Sequence, residues 1–173
     1  MRNIIFTGFM ATGKTSVGRI VAQRLGLLFV DTDDEIARVT GKTIQEIFDR
    51  YGSIRFRSEE ALVIKKLSHR GGLVIATGGG AVLNSENVAA LRKSGVVVLL
   101  KTTPEIILRR VNAGRGRPLL ARSEDIGQRI RDLMAQREDI YARAADLEVV
   151  TCEETREEVA TKVINMLRER KYI

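Results

Sequence analysis

Hydrophobic positions along the chain fall into two patterns that repeat from end to end. Short apolar runs of three to five residues alternate with longer segments in which apolar residues recur every three or four positions. The short runs are typical of buried strands, and the longer spacing is typical of amphipathic helices. Strands are predicted at five places: 4–6, 27–30, 73–76, 96–100 and 147–150. Because strands alternate with helices, we predict an α/β fold with a mostly parallel sheet, formed by a single domain over residues 1–173.

Capping and breaking residues predict where several helices begin and end. Thr43 and Glu46 have the spacing of a capping box, and Gly52 is placed to end the short helix that they start. Further helices are predicted over about 53–68, 85–93 and 123–145, and after a second capping-box pair, Thr155 and Glu158. The run 96–100 is the most apolar in the chain, so it should be an interior strand. Residues 112–118 are rich in Gly and Arg without periodicity, which predicts a mobile loop.

The segment between the first strand and the first helix has the G-x-x-x-x-G-K-T spacing of a P-loop. Its backbone N–H groups would line a concavity at the positive end of a helix, where phosphate oxygens bind. Lys14 would reach the β- and γ-phosphates, and the Thr15 hydroxyl would ligate Mg²⁺. An ordinary glycine-containing turn would need neither residue. Nucleotide contacts are therefore predicted for Gly8, Met10, Ala11, Thr12, Gly13, Lys14, Thr15 and Ser16.

Composition narrows the class of protein. The 173 residues are 44% hydrophobic, and no apolar run approaches the roughly 20 residues that a membrane span needs. With one Cys and one His, neither an internal disulfide nor a His/Cys zinc site is expected. The N-terminus leads directly into a strand, so we expect no signal peptide and a cytoplasmic protein. The net charge of +7 comes from 29 basic residues interleaved with 22 acidic ones, which fits an enzyme for anionic substrates better than a nucleic-acid-binding protein.

Acidic residues follow the second predicted strand. One carboxylate in Asp31-Thr32-Asp33 could act on Mg²⁺ through its water shell, and another could accept a hydrogen bond or a proton from a substrate hydroxyl. Acidic residues before a helix are also common as caps. The role of helix cap fits Asp34 better than Asp31.

Two further motifs carry candidate site residues: one lies on a predicted helix, and the other follows the carboxyl end of a predicted strand. Arg57 and Glu60 are three residues apart on a helix, so Glu60 could hold the guanidinium for bidentate capture of a carboxylate. Spacing alone favours an ordinary surface pair.

Gly78-Gly79-Gly80 follows a buried strand, where three glycines cost conformational entropy and add nothing to packing. Close approach of the backbone to a ligand would account for them.

Taken together, these residues resemble the shikimate kinase family. Six motifs occur in the family's order between Gly8 and Tyr141: the P-loop, D-T-D, F-R-x-x-E, G-G-G, a lid with R-P-L-L, and an arginine ahead of a tyrosine. The resemblance implies a P-loop fold of the nucleoside-monophosphate-kinase type, with a substrate-binding segment over about 33–61 and a mobile lid over about 112–122. It implies transfer of the γ-phosphoryl group of ATP to the 3-hydroxyl of shikimate, in the synthesis of chorismate and aromatic amino acids.

The resemblance also assigns roles to single residues. Asp33 would contact the shikimate hydroxyls as candidate base, and Asp31 would act on Mg²⁺ through water. Arg57 and Arg137 would bind the shikimate carboxylate, and the backbone of Gly78, Gly79 and Gly80 would line the substrate. Lys14 and the lid residue Arg117 would stabilise the transferring phosphoryl group, while Arg110 would lie along the adenine.

The chain departs from the family pattern at three places. Gly52-Ser53 replaces a frequent Gly-Glu, and the segment from Arg137 to Tyr141 lacks the usual proline and leucine. Thr151-Cys152 replaces a more polar pair near the adenine.

Alternative functions stay open. The nearest alternative is a gluconate or nucleoside-monophosphate kinase. A nucleotide-dependent binding module or a catalytically silent relative is a second, and nucleic-acid binding is a third. We expect a monomer, because no long apolar helix face is left after the core is built.

Overall fold

A computed structural model describes residues 2–112 and 125–173 of the chain. Five parallel strands form one sheet in the order β2-β3-β1-β4-β5. The strands are β1 (Asn3–Thr7), β2 (Leu28–Asp31), β3 (Leu73–Ala76), β4 (Gly95–Lys101) and β5 (Leu147–Val150). The predicted α/β class and parallel sheet are confirmed, and β4 is an interior strand as its composition indicated.

Helices cover both faces of the sheet. They are α1 (Lys14–Leu25), α2 (Thr32–Thr40), α3 (Ile44–Ser68), α4 (Ser85–Ser94), α5 (Pro104–Asn112), α6 (Ile126–Ala144) and α7 (Arg156–Glu169). Side chains of β1 alternate between the two faces. Ile4 and Phe6 pack against α1 and α7, whereas Ile5 packs against α2, α3 and α4. No helix in the described residues is long and apolar enough to cross a membrane.

Several predicted boundaries shift in the structure. Gly52 has φ 77° and ψ 177°, so it breaks the helical run as predicted, although helical segments continue on either side within α3. Asn112 is the last residue of α5 and not the first residue of a loop, because the helix extends past the apolar positions that marked it. The described part of α6 begins after its cap Asp125, and the rest of the predicted lid lies outside the described residues.

A buried asparagine fixes the entry to β3. Asn3 is fully buried, and its Nδ2 donates to the carbonyl oxygen of Arg70 at 2.7 Å. Its Oδ1 accepts from the backbone N–H of Leu73 at 3.0 Å. One side chain of β1 thus satisfies two backbone groups of the turn that begins the neighbouring strand, whose carboxyl end carries the three glycines.

We therefore expect Asn3→Leu to lower the free energy of unfolding by roughly 1–3 kcal/mol, because it leaves a buried N–H and a C=O without partners. Urea denaturation measures the change. Asn165→Leu on the exposed face of α7 is the matched control and should change stability by less than about 0.5 kcal/mol. Equal effects of the two substitutions would contradict this assignment.

Candidate active site

The P-loop connects β1 to α1 and depends on two glycines. Gly8 and Gly13 have φ values of 136° and 99°, which side-chain-bearing residues rarely adopt. A Cβ on Gly8 would also overlap the carbonyl oxygen of Leu100. Gly13 is the N-cap of α1, and no side chain of the described residues caps that helix. The first-turn N–H groups are therefore available to an anion at the positive end of the helix.

Lys14 is buried and its ammonium is held by the loop itself. Nζ donates to the carbonyl oxygens of Gly8 at 2.9 Å and Phe9 at 2.7 Å. These acceptors are neutral, whereas a phosphate oxygen carries negative charge and forms a stronger hydrogen bond. The Lys14 ammonium therefore lies at the loop, where its hydrogen bonds can pass from these carbonyl oxygens to the phosphate oxygens of a nucleotide.

Arg110 reaches the P-loop from α5. Its Nη1 donates to the carbonyl oxygen of Ala11 at 2.9 Å. Ala11 has φ 59°, in the left-handed region that alanine seldom occupies. The hydrogen bond stabilises this peptide orientation, so Arg110 lies beside the loop that the sequence assigned to the nucleotide.

Thr15 and Asp31 meet at the carboxyl end of β2. Thr15 Oγ1 donates to Asp31 Oδ2 at 2.8 Å, and Asp31 Oδ1 accepts from the backbone N–H of Asp33 at 3.0 Å. Asp31 is thus the N-cap of α2, and the expectation that Asp34 fits that role better is wrong. Asp34 lies exposed within the first turn, because α2 begins directly at the end of the strand.

The residues at this corner suit a hard cation with few protein ligands. A hydroxyl and a carboxylate are the oxygen donors that Mg²⁺ takes while keeping waters and phosphate oxygens. The described residues contain no group of three or more Asp, Glu, His or Cys side chains that could hold a metal alone. Any Mg²⁺ here would therefore depend on the nucleotide for most of its ligands.

Two carboxylates converge on Gly78. Asp33 Oδ1 and Glu60 Oε1 are buried without a hydrogen-bond partner in the described residues, and a Cβ on Gly78 would lie 2.9 Å from each. Burial raises the pKa of Asp33 to about 6, with the negative charges of Asp31 and Glu60 adding to the rise. Burial also raises the pKa of Glu60. The site therefore presents carboxyl oxygens that need a donor, such as a substrate hydroxyl.

Arg57 and Glu60 form an ion pair that differs from the expected surface pair. Glu60 is 1% exposed and Arg57 is 37% exposed, so the acid is buried and the guanidinium opens toward the cleft. A Cβ on Gly80 would overlap that guanidinium, which explains the third glycine of the turn. Spacing could not show this burial, because it depends on how α3 packs beside β3.

Tyr141 is a site residue whose role the sequence did not reveal. Its hydroxyl donates to the carbonyl oxygen of Gly79, and its ring is buried near Phe9. A Cβ on Gly79 would lie 3.5 Å from the N atom of Met10 and 3.6 Å from the O atom of Gly8. The glycine turn therefore packs against the P-loop backbone on one side and is held by α6 on the other.

Almost all of the predicted site residues line one cleft of about 750 Å³. Gly8 does not line the cleft, although its carbonyl oxygen lies beside Gly79, and Arg117 lies outside the described residues. The cleft also includes residues that were not predicted as site residues, such as Phe48 and Arg156. The predicted residues that line it are Met10, Ala11, Thr12, Gly13, Lys14, Thr15, Ser16, Asp31, Asp33, Arg57, Gly78, Gly79, Gly80, Arg110 and Arg137.

Comparison with known proteins identifies the family of this site. The family model described as shikimate kinase matches residues 10–168. The chain belongs to the shikimate kinase family. Among curated relatives, the shikimate kinase of Pelotomaculum thermopropionicum is 49% identical over 173 residues, which cover 100% of this chain and 99% of that protein.

Solved shikimate kinases share the fold over the whole chain. The enzyme from Acinetobacter baumannii in complex with shikimate has a TM-score of 0.94 and 38% identity, covering 100% of this chain and 96% of the other. The enzyme from Aquifex aeolicus has a TM-score of 0.85 and 34% identity, covering 98% of each chain. The predicted class, an ATP-dependent kinase with an alcohol acceptor, is confirmed, and a gluconate or nucleoside-monophosphate kinase is not favoured.

The burial of Asp33 gives this shikimate kinase a testable pH dependence. The carboxyl pKa is 3.8 in a solvated chain and about 6 in the folded protein, so ionisation is harder in the folded state. Its charge therefore destabilises the fold fully above about pH 6, and this penalty shrinks as the pH falls from about 6 to about 4 and is absent below that.

We expect Asp33→Asn to raise the free energy of unfolding by up to about 3 kcal/mol near pH 8 and by much less below about pH 4. Urea unfolding at the two pH values measures this difference. Asp34→Asn, at the exposed neighbouring position, is the control and should show no comparable gain. A gain for Asp33→Asn that did not depend on pH would exclude the charge as its cause.

Proposed function

We propose that this chain transfers the γ-phosphoryl group of MgATP to the 3-hydroxyl of shikimate, giving shikimate 3-phosphate and ADP. The observation that carries the proposal is the meeting of two chemistries in one cleft. A phosphate-binding loop with Lys14 lies beside Asp33 and the half-exposed cation Arg57. A compact acceptor that has both a hydroxyl and a carboxylate fits this arrangement.

The nucleotide would bind with its phosphates in the P-loop. Lys14 would exchange the carbonyl oxygens of Gly8 and Phe9 for phosphate oxygens, which keeps its hydrogen bonds while adding charge neutralisation. Thr15 would ligate Mg²⁺ directly and Asp31 would act on it through water. When bound, Mg²⁺ supplies positive charge at the β- and γ-phosphates. Arg110 would lie along the adenine.

The substrate would lie between α3 and α6. Arg57 and Arg137 would bind its carboxylate, which explains specificity because an acceptor without that anion forms no charge-assisted hydrogen bond with either guanidinium. The backbone of Gly78 to Gly80 would line the ring at a distance that side chains would not permit. The related enzyme solved with shikimate, similar to this chain over its full length, supports this substrate.

Asp33 would orient and deprotonate the attacking hydroxyl. The new bond joins the 3-oxygen to the γ-phosphorus as the bond to the bridging β–γ oxygen breaks, and the hydroxyl proton passes to Asp33 and then to solvent. A pKa of about 6 leaves Asp33 ionised at neutral pH but more basic than an ordinary aspartate. Lys14 would neutralise charge on the transferring group, joined by Arg117, whose role stays a prediction from the resemblance. A cytoplasmic monomer is part of the proposal.

The substrate role of Arg57 separates this proposal from a nucleotide-dependent binding function. We expect Arg57→Ala to raise the KM for shikimate by roughly 10- to 100-fold, because a charge-assisted hydrogen bond contributes about 1.5–3 kcal/mol. The KM for ATP should change by less than about twofold. Steady-state ADP release with MgATP and varied shikimate measures both constants.

Arg55 provides a matched control on the same helix. It is 63% exposed and pairs with Glu59, and neither residue lines the cleft, so Arg55→Ala removes an arginine without touching the site. It should leave both constants unchanged. An Arg57→Ala enzyme with the wild-type KM for shikimate would overturn the assignment of that arginine to the carboxylate.

A further inference from the structure

Tyr141 places a single hydroxyl between two parts of the active site. The side chain is 5% exposed, and its Oη donates to the carbonyl oxygen of Gly79. Tyr51, by contrast, is 53% exposed on α3. A buried tyrosine hydroxyl normally finds a hydrogen-bond partner, and here the partner is the backbone of the substrate-lining turn.

The carbonyl that accepts this bond belongs to the middle of a tightly packed turn. Gly78 lies against Asp33 and Glu60, Gly79 against the P-loop backbone, and Gly80 against Arg57. A small displacement of the turn would therefore change the positions of the base and of the carboxylate-binding arginine together. Tyr141 is the residue of α6 that fixes the turn through a hydrogen bond.

Arg137 lies one helical turn before Tyr141 and shares its face of α6. Burial raises the pKa of Tyr141, and the positive charge of the Arg137 guanidinium opposes that rise. The same hydroxyl therefore interacts with the Arg137 guanidinium and with the Gly79 carbonyl. Arg137 also lines the cleft, so its direction matters for the substrate.

We propose that Tyr141 is a positioning residue that sets the separation between Arg137 and the Gly78–Gly80 turn through its one hydroxyl. The inference rests on the proposed function, since Arg137 acts on the shikimate carboxylate. Tyr141 touches no reacting atom and acts through its two neighbours. The ring has a separate packing role with Phe9 and Leu133, which phenylalanine would preserve.

The test is Tyr141→Phe, which removes the hydroxyl and keeps the ring. We expect the KM for shikimate to rise about 5- to 10-fold, the KM for ATP to stay within about twofold, and the midpoint of thermal unfolding to change little. Tyr51→Phe, the same substitution at an exposed tyrosine, should leave every constant unchanged.

A double-mutant cycle distinguishes positioning from packing. The Tyr141→Phe effect on shikimate binding, measured by calorimetry, should be much smaller in an Arg137→Ala background, because the arginine that it orients is gone. Independent, multiplying effects on the dissociation constant would overturn the proposal, as would a parallel rise in the KM values for shikimate and ATP. A wild-type protein that neither binds nor phosphorylates shikimate would instead overturn the proposed function. Shikimate turnover by wild type with an unchanged KM in Tyr141→Phe would overturn this inference alone.

Discussion

The active site depends on the close approach of two backbone turns at the carboxyl ends of neighbouring strands. The P-loop follows β1, and the Gly78–Gly80 turn follows β3, which pairs with β1 in parallel register. A Cβ on Gly79 would already be in contact with the P-loop backbone, and one on Gly78 or Gly80 would collide with charged side chains. Because the Gly78–Gly80 turn carries no side chains, it can approach the P-loop closely, and the phosphate and acceptor sites share one cleft in which the reacting groups can meet.

The close approach of the two turns also determines which charged groups surround Asp33. Asp33 and Glu60 are brought together beside Lys14 and Arg57. Burial, followed by the charges of Asp31 and Glu60, raises the pKa of Asp33, while the two cations oppose the rise. The arrangement lowers the stability of the empty protein and supplies a base for a hydroxyl. The buried acid of the Arg57 pair thus serves two purposes: it holds the arginine and it raises the basicity of Asp33.

The features that could be predicted from the sequence were mostly those formed by neighbouring residues. The P-loop, the capping boxes and the strand runs each lie within a few consecutive residues, so their physics is readable without the fold. The burial of Glu60 could not be read this way, because it depends on α3 packing beside β3. The bond from Tyr141 to Gly79 joins residues 62 positions apart. The cap of α2 is Asp31 and not Asp34 because α2 starts directly at the end of its strand, a boundary that the local sequence does not reveal.

The most direct measurement is the identity of the phosphorylated product. Purified protein is incubated with MgATP and one acceptor at a time, either shikimate, quinate or gluconate, and the product is analysed by phosphorus–proton correlation NMR. The account predicts a phosphate on the 3-oxygen of shikimate, with little product from the other two acceptors and ADP formed in equal amount. Phosphorylation of gluconate in preference to shikimate, or of another shikimate hydroxyl, would contradict it.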